Sequence, residues 1–385
     1  MSCADAPRTQ PRRHRVTEEK TIFPLCLRVS VVERNQPKVF DIVDFTKLNY
    51  ETQEWLFMAE RKLGQVAYWQ NLSAVLAIFR IIPQEDSRFP DYKPGQYIAL
   101  RREYCKLTKK IGNVNGQPVY GPDSDESGNQ KIGPVTHSYS ISSSPMETLE
   151  HKWLEFYVIL EKNEEGHPGR LTESIFTMDL FNDNKITYVD RITGDFTLDK
   201  RAAGYKNVLL VGTGTGLAPF ASMIKQLDSE AREGKSNSTS YTLLHTNRTV
   251  EELGYHQELL NIEAAGRFDF LYFPSVSRPT QRDVENKRLG KGRANNLLRF
   301  IFEMPLKEDQ EVQEATEKGL DTSAAQQALA RAVRPALPEH ITLKHLHDRL
   351  DPPQTVILTC GNPSSMADIK YAADANQIRF EKEDW

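Results

Sequence analysis

The sequence predicts an α+β protein with two folded units, an antiparallel β-barrel or sandwich followed by a parallel α/β sheet. Two observations carry this prediction. Between residues 73 and 198, short runs rich in β-branched and aromatic residues alternate with turn residues, as antiparallel sheets do. From residue 206 onward, four continuously apolar runs lead into glycine, serine or asparagine, as expected for parallel strands buried on both faces.

Length and composition fit a globular chain with more than one domain. At roughly 150 residues per domain, the 385 residues correspond to two or three domains. Hydrophobic residues make up 39% and charged residues 26%, which is typical of folded proteins. The net charge of -4 provides no overall basic field, so we expect neither nucleic acid nor an anionic membrane as a partner.

No stretch predicts a membrane span or a secretory signal. The longest apolar runs are far shorter than the ~20 residues that a membrane helix needs, and the arginine-rich start has no apolar core. We therefore expect a cytoplasmic protein. The cysteines form no CxxC pair, which argues against a metal centre or a disulfide framework, so redox chemistry would need an organic cofactor. The four cysteines are Cys3, Cys26, Cys105 and Cys360.

The pattern divides the chain into an N-terminal extension at residues 1–72, the barrel unit at 73–203 and the α/β unit at 204–385. A helical insertion is expected at about 305–353 of the α/β unit. Helical spacing of apolar residues predicts helices at 50–66, 169–181 and 322–333. The predicted strands are LCLRVSVV and KVFDIVDF in the extension, AVLAIFRIIP, GQYIALRR, HSYSISSS, WLEFYVILEK and NKITYVDRI in the barrel, and NVLLVG, SYTLLHT, FDFLYFPSV and QTVILTC in the α/β unit.

The stretch VGTGTGLAPF, residues 211–220, has three glycines between a predicted strand and a predicted helix. The glycines either form only a tight turn, or they let a pyrophosphate approach the N–H groups at the start of the helix. The second interpretation is favoured because ligands bind beyond the carboxyl ends of parallel strands, and polar or small residues follow the other strands too. These are Arg248, Ser277, Arg278, Cys360 and Gly361.

The same residues indicate which nucleotide would bind. Guanidinium groups and hydroxyls bind a 2'-phosphate, whereas a ribose diol is usually bound by a carboxylate after the second strand. Each arginine taken alone is more often a solvated surface residue, but several of them after neighbouring strands favour a 2'-phosphate site. The candidates are Arg248, Ser277, Arg278 and Arg293.

Two stretches of the barrel unit are also candidates. HSYSISSSP puts Tyr139 and Ser140 on opposite faces of a strand, although Tyr139 by itself would more often be a core residue. The predicted helix that begins near Gly169 offers N–H groups to an anion, and the alternative is ordinary capping by Thr172.

Taken in order, PGQY, YSISSSP, GRLT, GDFTL, VGTGTGLAPF, SVSRP, CGNPSSM and a terminal tryptophan resemble the ferredoxin–NADP+ reductase family over about residues 73–385. The bacterial type is closer, because of Arg248 in HTNR, the Gly292–Arg293 pair and the final Trp385. The resemblance implies a β-barrel domain that binds FAD, followed by a Rossmann-like domain that binds NADP. It also implies hydride transfer from NADPH to flavin N5 and electron exchange with ferredoxin or flavodoxin.

The resemblance assigns roles to residues of the barrel. It implies that the Tyr139 ring stacks on the isoalloxazine and that the Ser140 hydroxyl bonds near flavin N5. The flavin pyrophosphate is assigned to Arg170, Leu171 and Thr172, with His137 and Gly169 as further cofactor-binding residues.

On the nucleotide side, Cys360 is assigned to the nicotinamide C4, and Trp385 to the flavin face on which the nicotinamide stacks. Glu383, rather than Glu381, would relay a proton to the reduced flavin. The implied catalytic set is therefore Ser140, Cys360, Glu383 and Trp385, with no metal ligands. Residues assigned to the nucleotide are Thr213, Gly214, Thr215, Gly216 and Gly361, with Arg248, Ser277, Arg278 and Arg293 for the 2'-phosphate.

One residue departs from the family pattern. His137 stands where the family has an arginine, and a neutral imidazole binds pyrophosphate more weakly, so FMN is an alternative to FAD. Arg101 or Arg102 would be the compensating cation. Rival functions are a reductase component of an oxygenase, an NADH-using relative, or a flavin-binding module that has no activity alone. The sequence does not indicate the oligomeric state.

Overall fold

The structure, a computed structural model, describes residues 60–84, 87–114, 117–163, 166–235 and 237–383. The two strands predicted in the N-terminal extension lie outside the described residues. So does most of the helix predicted at 50–66.

The first half of the described chain forms a six-stranded antiparallel sheet with the strand order β6-β3-β8-β1-β2-β7, here called the barrel sheet. Just beyond β6, the Ser142 N–H donates to the Glu155 carbonyl of β7 over 2.9 Å, which curls the sheet toward closure. Hairpin β4–β5 stands apart as a two-stranded sheet. The strands are β1 (Arg61–Ser73), β2 (Leu76–Pro83), β3 (Tyr97–Lys106), β4 (Thr108–Val114), β5 (Gln117–Pro122), β6 (Ile132–Ser140), β7 (Leu154–Ile159) and β8 (Lys185–Thr193).

Strand β1 corrects the helix prediction for its last residues. Residues 61–66 are extended and pair with β8 on one side and β2 on the other, so the helix prediction is wrong there. Helical spacing is a local signal, and pairing on both sides satisfies the backbone of this segment more completely. Because β1 belongs to the barrel sheet, we propose that the barrel unit begins near residue 60 rather than at 73.

The second half forms a six-stranded sheet, here called the parallel sheet, with the order β12-β11-β10-β9-β13-β14. All of its strand pairs are parallel, as the four apolar runs predicted. The chain moves outward from β9 in one direction and then returns to β13 on the other side, so a ligand crevice is expected between the carboxyl ends of β9 and β13. The strands are β9 (Asn207–Thr213), β10 (Ser240–Asn247), β11 (Phe270–Val276), β12 (Gly290–Lys291), β13 (Thr355–Cys360) and β14 (Arg379–Lys382).

Helices cover the ends and faces of the two sheets. The helix predicted at 169–181 forms but is shorter, and the one predicted at 322–333 forms as α9. The helices are α1 (Pro145–His151), α2 (Arg170–Phe176), α3 (Leu198–Arg201), α4 (Ala218–Arg232), α5 (His256–Ala265), α6 (Gln281–Glu285), α7 (Ala294–Ile301), α8 (Lys307–Glu317), α9 (Ser323–Arg331), α10 (Leu343–Asp348) and α11 (Pro363–Ala375). Within the part of the chain that the structure describes, no helix is long and apolar enough to cross a membrane.

A shared core and a buried ion network hold the two sheets together. Tyr157 of the barrel sheet packs in the same apolar cluster as Leu210 and Phe220 of the parallel-sheet unit. Beside this cluster, the Lys225 ammonium of α4 lies 3.1 Å from the Glu155 carboxylate of β7. Because both groups are buried, this pair constrains how the two sheets meet.

Candidate active site

Three of the residues assigned to catalysis meet where the two sheets join. Ser140 is the last residue of β6, Cys360 is the last residue of β13, and Glu383 follows β14. The Ser140 hydroxyl donates to one Glu383 carboxylate oxygen over 3.1 Å, and the Cys360 thiol donates to the other over 2.8 Å. All three side chains are buried, so they form one polar cluster shielded from water.

The C-terminal strand brings Glu383 to this cluster. Strand β14 pairs with β13, and the Glu383 N–H then donates to the Thr359 carbonyl over 3.0 Å. Glu381, the other candidate, instead accepts from the Arg201 guanidinium at 3.1 Å and from Arg379 at 2.8 Å. The structure thus puts Glu383, and not Glu381, beside the serine and the cysteine.

Burial tunes both acidic groups of the cluster. It raises the pKa of the Glu383 carboxyl to about 7, although the hydrogen bonds from Cys360 and Ser140 work in the opposite direction. Burial and the adjacent carboxylate raise the pKa of the Cys360 thiol well above its usual value. At neutral pH the thiol therefore remains protonated, while Glu383 can gain or lose a proton.

The glycines after β9 and β13 either allow two loops to pack closely or leave the backbone open. A Cβ on Gly216 would lie 2.2 Å from the Cys360 carbonyl oxygen, and a Cβ on Gly361 would lie 2.1 Å from the Thr213 hydroxyl oxygen. These two glycines thus let the loops after β9 and β13 cross in close contact. At Gly214, with φ 58°, a Cβ would have no atom within 4 Å, so this backbone faces open space. Gly216 therefore fits the tight-turn interpretation, and the ligand interpretation stays a prediction for Gly214.

The loop after β9 leads directly into a helix that has no side-chain cap. Residues 214–217 form one turn of 3-10 helix, and Thr215 lies within it. Helix α4 follows, and Leu217 at its start makes no side-chain cap. Thr213 is held from the other side, because its hydroxyl oxygen accepts the Asn362 N–H over 2.9 Å.

The residues assigned to the 2'-phosphate lie at the carboxyl ends of β10, β11 and β12. The Arg278 N–H donates to the Arg248 carbonyl over 2.8 Å, and the Ser277 hydroxyl donates to the Asn247 carbonyl over 3.2 Å. Arg293 follows β12, which pairs with the end of β11. The residues that the sequence prediction grouped into one 2'-phosphate site are therefore neighbours in the structure.

The sequence prediction missed two carboxylates at this place. Glu252 binds Arg248 with both oxygens, at 2.7 Å to Nε and 2.5 Å to Nη2. Glu308 of the insertion lies 3.6 Å from Nη1 of Arg293. The opposite charges four residues apart at 248 and 252 were a usable signal. No sequence signal identified Glu308, because only the folded insertion brings it to the site.

On the barrel side, Tyr139 is partly buried in the barrel core and touches Phe156 edge-on, with ring centroids 6.5 Å apart. Burial raises the pKa of its phenol, so the hydroxyl stays neutral. At Gly169 the hydroxyl of Thr172 donates back to the Gly169 carbonyl over 3.1 Å, an ordinary turn contact. Leu171, also assigned to the pyrophosphate, is buried in the core.

The cation that acts on the pKa of His137 is Arg170. Burial first, and then the charge of Arg170, lower the pKa of His137 to about 4, so the imidazole is neutral. Both arginines expected to compensate, Arg101 and Arg102, are bound to carboxylates of this chain, and their role toward a pyrophosphate stays a prediction. Arg102 is buried against the Asp183 carboxylate, with Nη1 to Oδ1 at 3.1 Å, and Arg101 binds Glu103 at 2.7 Å. Trp385 lies outside the described residues.

A protein-family model described as an oxidoreductase NAD-binding domain matches residues 210–312. Among curated proteins, the chain is 31% identical over 152 residues to ferredoxin–NADP reductase A of Sorangium cellulosum, covering 38% of this chain and 49% of the relative. It is 29% identical over 173 residues to the ferredoxin–NADP reductase of Azotobacter vinelandii, covering 43% and 58%. The chain spans about half the length of the curated relatives it matches.

A solved structure shares the fold across both sheets. A ferredoxin NADP+ reductase from Neisseria gonorrhoeae, with bound FAD and NADP, superposes with a TM-score of 0.50 at 18% identity, covering 84% of this chain and 99% of that one. Its agreement extends the similarity to the barrel sheet, which the matched family model does not reach. The chain thus contains an oxidoreductase NAD-binding domain, is similar over part of its length to ferredoxin–NADP reductases, and shares the two-sheet fold of one of them.

Proposed function

We propose that this chain is an NADPH-dependent flavoprotein oxidoreductase that binds FAD and exchanges electrons with a one-electron carrier, either ferredoxin or flavodoxin. The single observation that carries the proposal is the meeting of Ser140, Cys360 and Glu383 at the junction of the two sheets. The names of the curated relatives support the nucleotide and the class of carrier. The cytoplasmic location expected from the sequence remains part of the proposal.

The residues fit the two cofactors. The Tyr139 ring, the Ser140 hydroxyl and the Arg170 guanidinium offer an aromatic face, a hydrogen-bond partner and a cation to a flavin nucleotide. The open backbone at Gly214 and the exposed Arg278 suit a dinucleotide with a 2'-phosphate. When bound, FAD accepts a hydride and releases electrons one at a time, which is chemistry that no side chain supplies.

The side chains of the chain itself manage a proton and exclude water. Glu383, whose pKa burial raises to about 7, can hold or release a proton near neutral pH and shares a hydrogen bond with the Ser140 hydroxyl. That hydroxyl is therefore the outlet for a proton held by the carboxyl. The Cys360 thiol does not ionise, and it keeps the other carboxyl oxygen occupied. Burial of the three groups maintains the water-poor environment that hydride transfer needs.

An NADH-dependent reductase is the second candidate, and one observation favours it. Two of the three arginines assigned to the 2'-phosphate already face carboxylates of this chain, Glu252 and Glu308. Paired guanidinium groups attract a phosphate less strongly than free ones do. Turnover with NADH and with NADPH therefore belongs in every activity measurement.

An absorption spectrum of the purified full chain, followed by anaerobic titration with NADPH, tests the proposal. We expect a flavin spectrum that NADPH bleaches, and reduction of ferricyanide and of ferredoxin or flavodoxin in turnover. A bound flavin that neither NADPH nor NADH bleaches would indicate a module without activity of its own. A chain that stays colourless after incubation with FAD and with FMN would contradict the proposal altogether.

A further inference from the structure

The ion pair between Arg248 and Glu252 occupies one edge of the guanidinium that is assigned to the 2'-phosphate. Both contacts are hydrogen bonds, from Nε and from Nη2, so the carboxylate engages the guanidinium with two parallel bonds. Such bidentate pairs are the strongest that arginine forms with a carboxylate. A phosphate that approached Arg248 would find that edge taken and the charge of the guanidinium already balanced.

The backbone at Glu252 is held in place. Glu252 is buried, and its backbone carbonyl accepts from the Tyr157 hydroxyl at 2.6 Å and from the Asn247 amide nitrogen at 2.7 Å. Tyr157 belongs to the barrel sheet, and its ring lies where a Cβ on Gly254 would be 2.9 Å away. The barrel sheet thus holds the segment that carries Glu252. Releasing Arg248 would also leave a buried carboxylate without its partner, which is costly.

The other two arginines differ from Arg248. Arg293 lies 3.6 Å from Glu308, beyond hydrogen-bond distance, and its side chain is mostly exposed. Arg278 is exposed, and its guanidinium forms no ion pair within the described residues. Of the three, Arg278 therefore has the least balanced charge and the fewest competing contacts.

We propose that Glu252 limits the selection of a 2'-phosphate by neutralising Arg248, so that Arg278 carries most of the discrimination between NADP and NAD. The inference rests on the proposed function only in assuming that an adenine nucleotide binds at the carboxyl ends of β10 and β11. In this inference the Glu252 carboxylate weakens the preference for NADP over NAD that the arginines would otherwise produce.

The first test measures binding to the full chain by isothermal titration calorimetry, with adenosine 2',5'-bisphosphate and 5'-AMP as probes. The quantity of interest is the ratio of the two affinities. Glu252→Gln keeps a hydrogen-bond acceptor for Arg248 but removes the charge, and we expect the ratio to rise by about tenfold. Glu251→Gln is the matched control, because Glu251 is the exposed neighbour and undergoes the same change of charge, and it should leave the ratio within about twofold.

The second test leaves Glu252 in place, and circular dichroism checks that Arg248→Ala, which removes the partner of that buried carboxylate, is folded. Arg278→Ala and Arg248→Ala both change side chains that reach the solvent. We expect Arg278→Ala to lower the affinity for the bisphosphate by about twentyfold and Arg248→Ala by no more than about threefold, with little change for 5'-AMP.

The outcomes separate the inference from the proposed function. A ratio that is unchanged or lower in Glu252→Gln would overturn the inference, and a fall would show that the carboxylate positions Arg248 for the phosphate instead. A greater loss in Arg248→Ala than in Arg278→Ala would overturn it as well. If the unaltered chain bound neither probe, the assumption of a nucleotide site, and with it the proposed function, would fail.

Discussion

The Cys360 thiol donates a hydrogen bond to the Glu383 carboxylate over 2.8 Å, and this contact ties the last described residue of the chain to the end of β13. The carboxyl and the thiol both titrate above their ordinary range because they are buried together. The C-terminal segment thus contributes directly to the polar cluster between the two sheets. The polar composition of this stretch does not predict a buried position, and only the family resemblance had assigned Glu383 to the site.

Glu383→Gln should change how stability depends on pH. The pKa of Glu383 is about 7 in the folded chain, against 4.5 as its ordinary value, so the folded state favours the protonated form. Measured as the difference from the glutamine variant, the unaltered chain should therefore lose about 3 kcal/mol of unfolding free energy as the pH rises from about 4.5 to about 7, while the contributions of other groups, such as His137, are common to both. Urea denaturation at pH 5 and pH 8 measures this.

Glu381→Gln is the matched control for this prediction, because it removes a carboxylate two residues away that is bound to Arg201. It should retain the pH dependence of the unaltered chain. Equal pH dependence in Glu383→Gln and the unaltered chain would contradict the raised pKa.

Gly216→Ala and Gly214→Ala should differ sharply, although both change one glycine of the same stretch. A Cβ at 216 would lie 2.2 Å from the Cys360 carbonyl oxygen, so that loop must move, at a cost of about 3 kcal/mol and with a large loss of NADPH turnover. Gly214→Ala meets no atom and should cost only the left-handed backbone strain, about 1 kcal/mol. Thermal unfolding and steady-state kinetics measure both, and similar losses in the two variants would argue against the close crossing of the loops.

Lys225→Met should destabilise the contact between the sheets. It removes the ammonium 3.1 Å from the buried Glu155 carboxylate, which keeps the Arg80 guanidinium at 2.7 Å, and should lower the unfolding free energy by about 1 to 3 kcal/mol. Lys235→Met breaks the exposed pair with Glu233 and should cost less than about 0.5 kcal/mol. Denaturant unfolding compares the two variants. A small effect of Lys225→Met would mean that the shared apolar core alone holds the sheets.

Tyr139→Phe and Tyr139→Ser separate a flavin contact from a core contact. If the ring stacks on the flavin, phenylalanine should bind FAD within about threefold of the unaltered chain, and serine should weaken FAD binding by at least about tenfold. FAD fluorescence on titration of the apoprotein gives the affinity, and circular dichroism checks that each variant is folded. A folded serine variant with unchanged FAD affinity would leave Tyr139 as a core residue only.

Prediction from sequence succeeded where the signal was local. Continuous apolar runs identified β9, β10, β11 and β13, because a parallel strand buried on both faces must be apolar at nearly every position. It failed at residues 61–66, where helical spacing competed with pairing to two other strands. It also overlooked Glu252, although its spacing from Arg248 was a usable signal, and Glu308, which looks like any other surface charge until the fold is known.

By itself, the sequence determined that an antiparallel sheet precedes a parallel one, and it marked the loops at the strand ends where a nucleotide would approach. Only the tertiary structure decided that Ser140 and Glu383, 243 residues apart, share a hydrogen bond, and that Arg248 is already paired. The physical reason is that periodicity and turn residues act between near neighbours in the chain. Burial, pKa shifts and ion pairs instead depend on which distant segments the fold brings into contact.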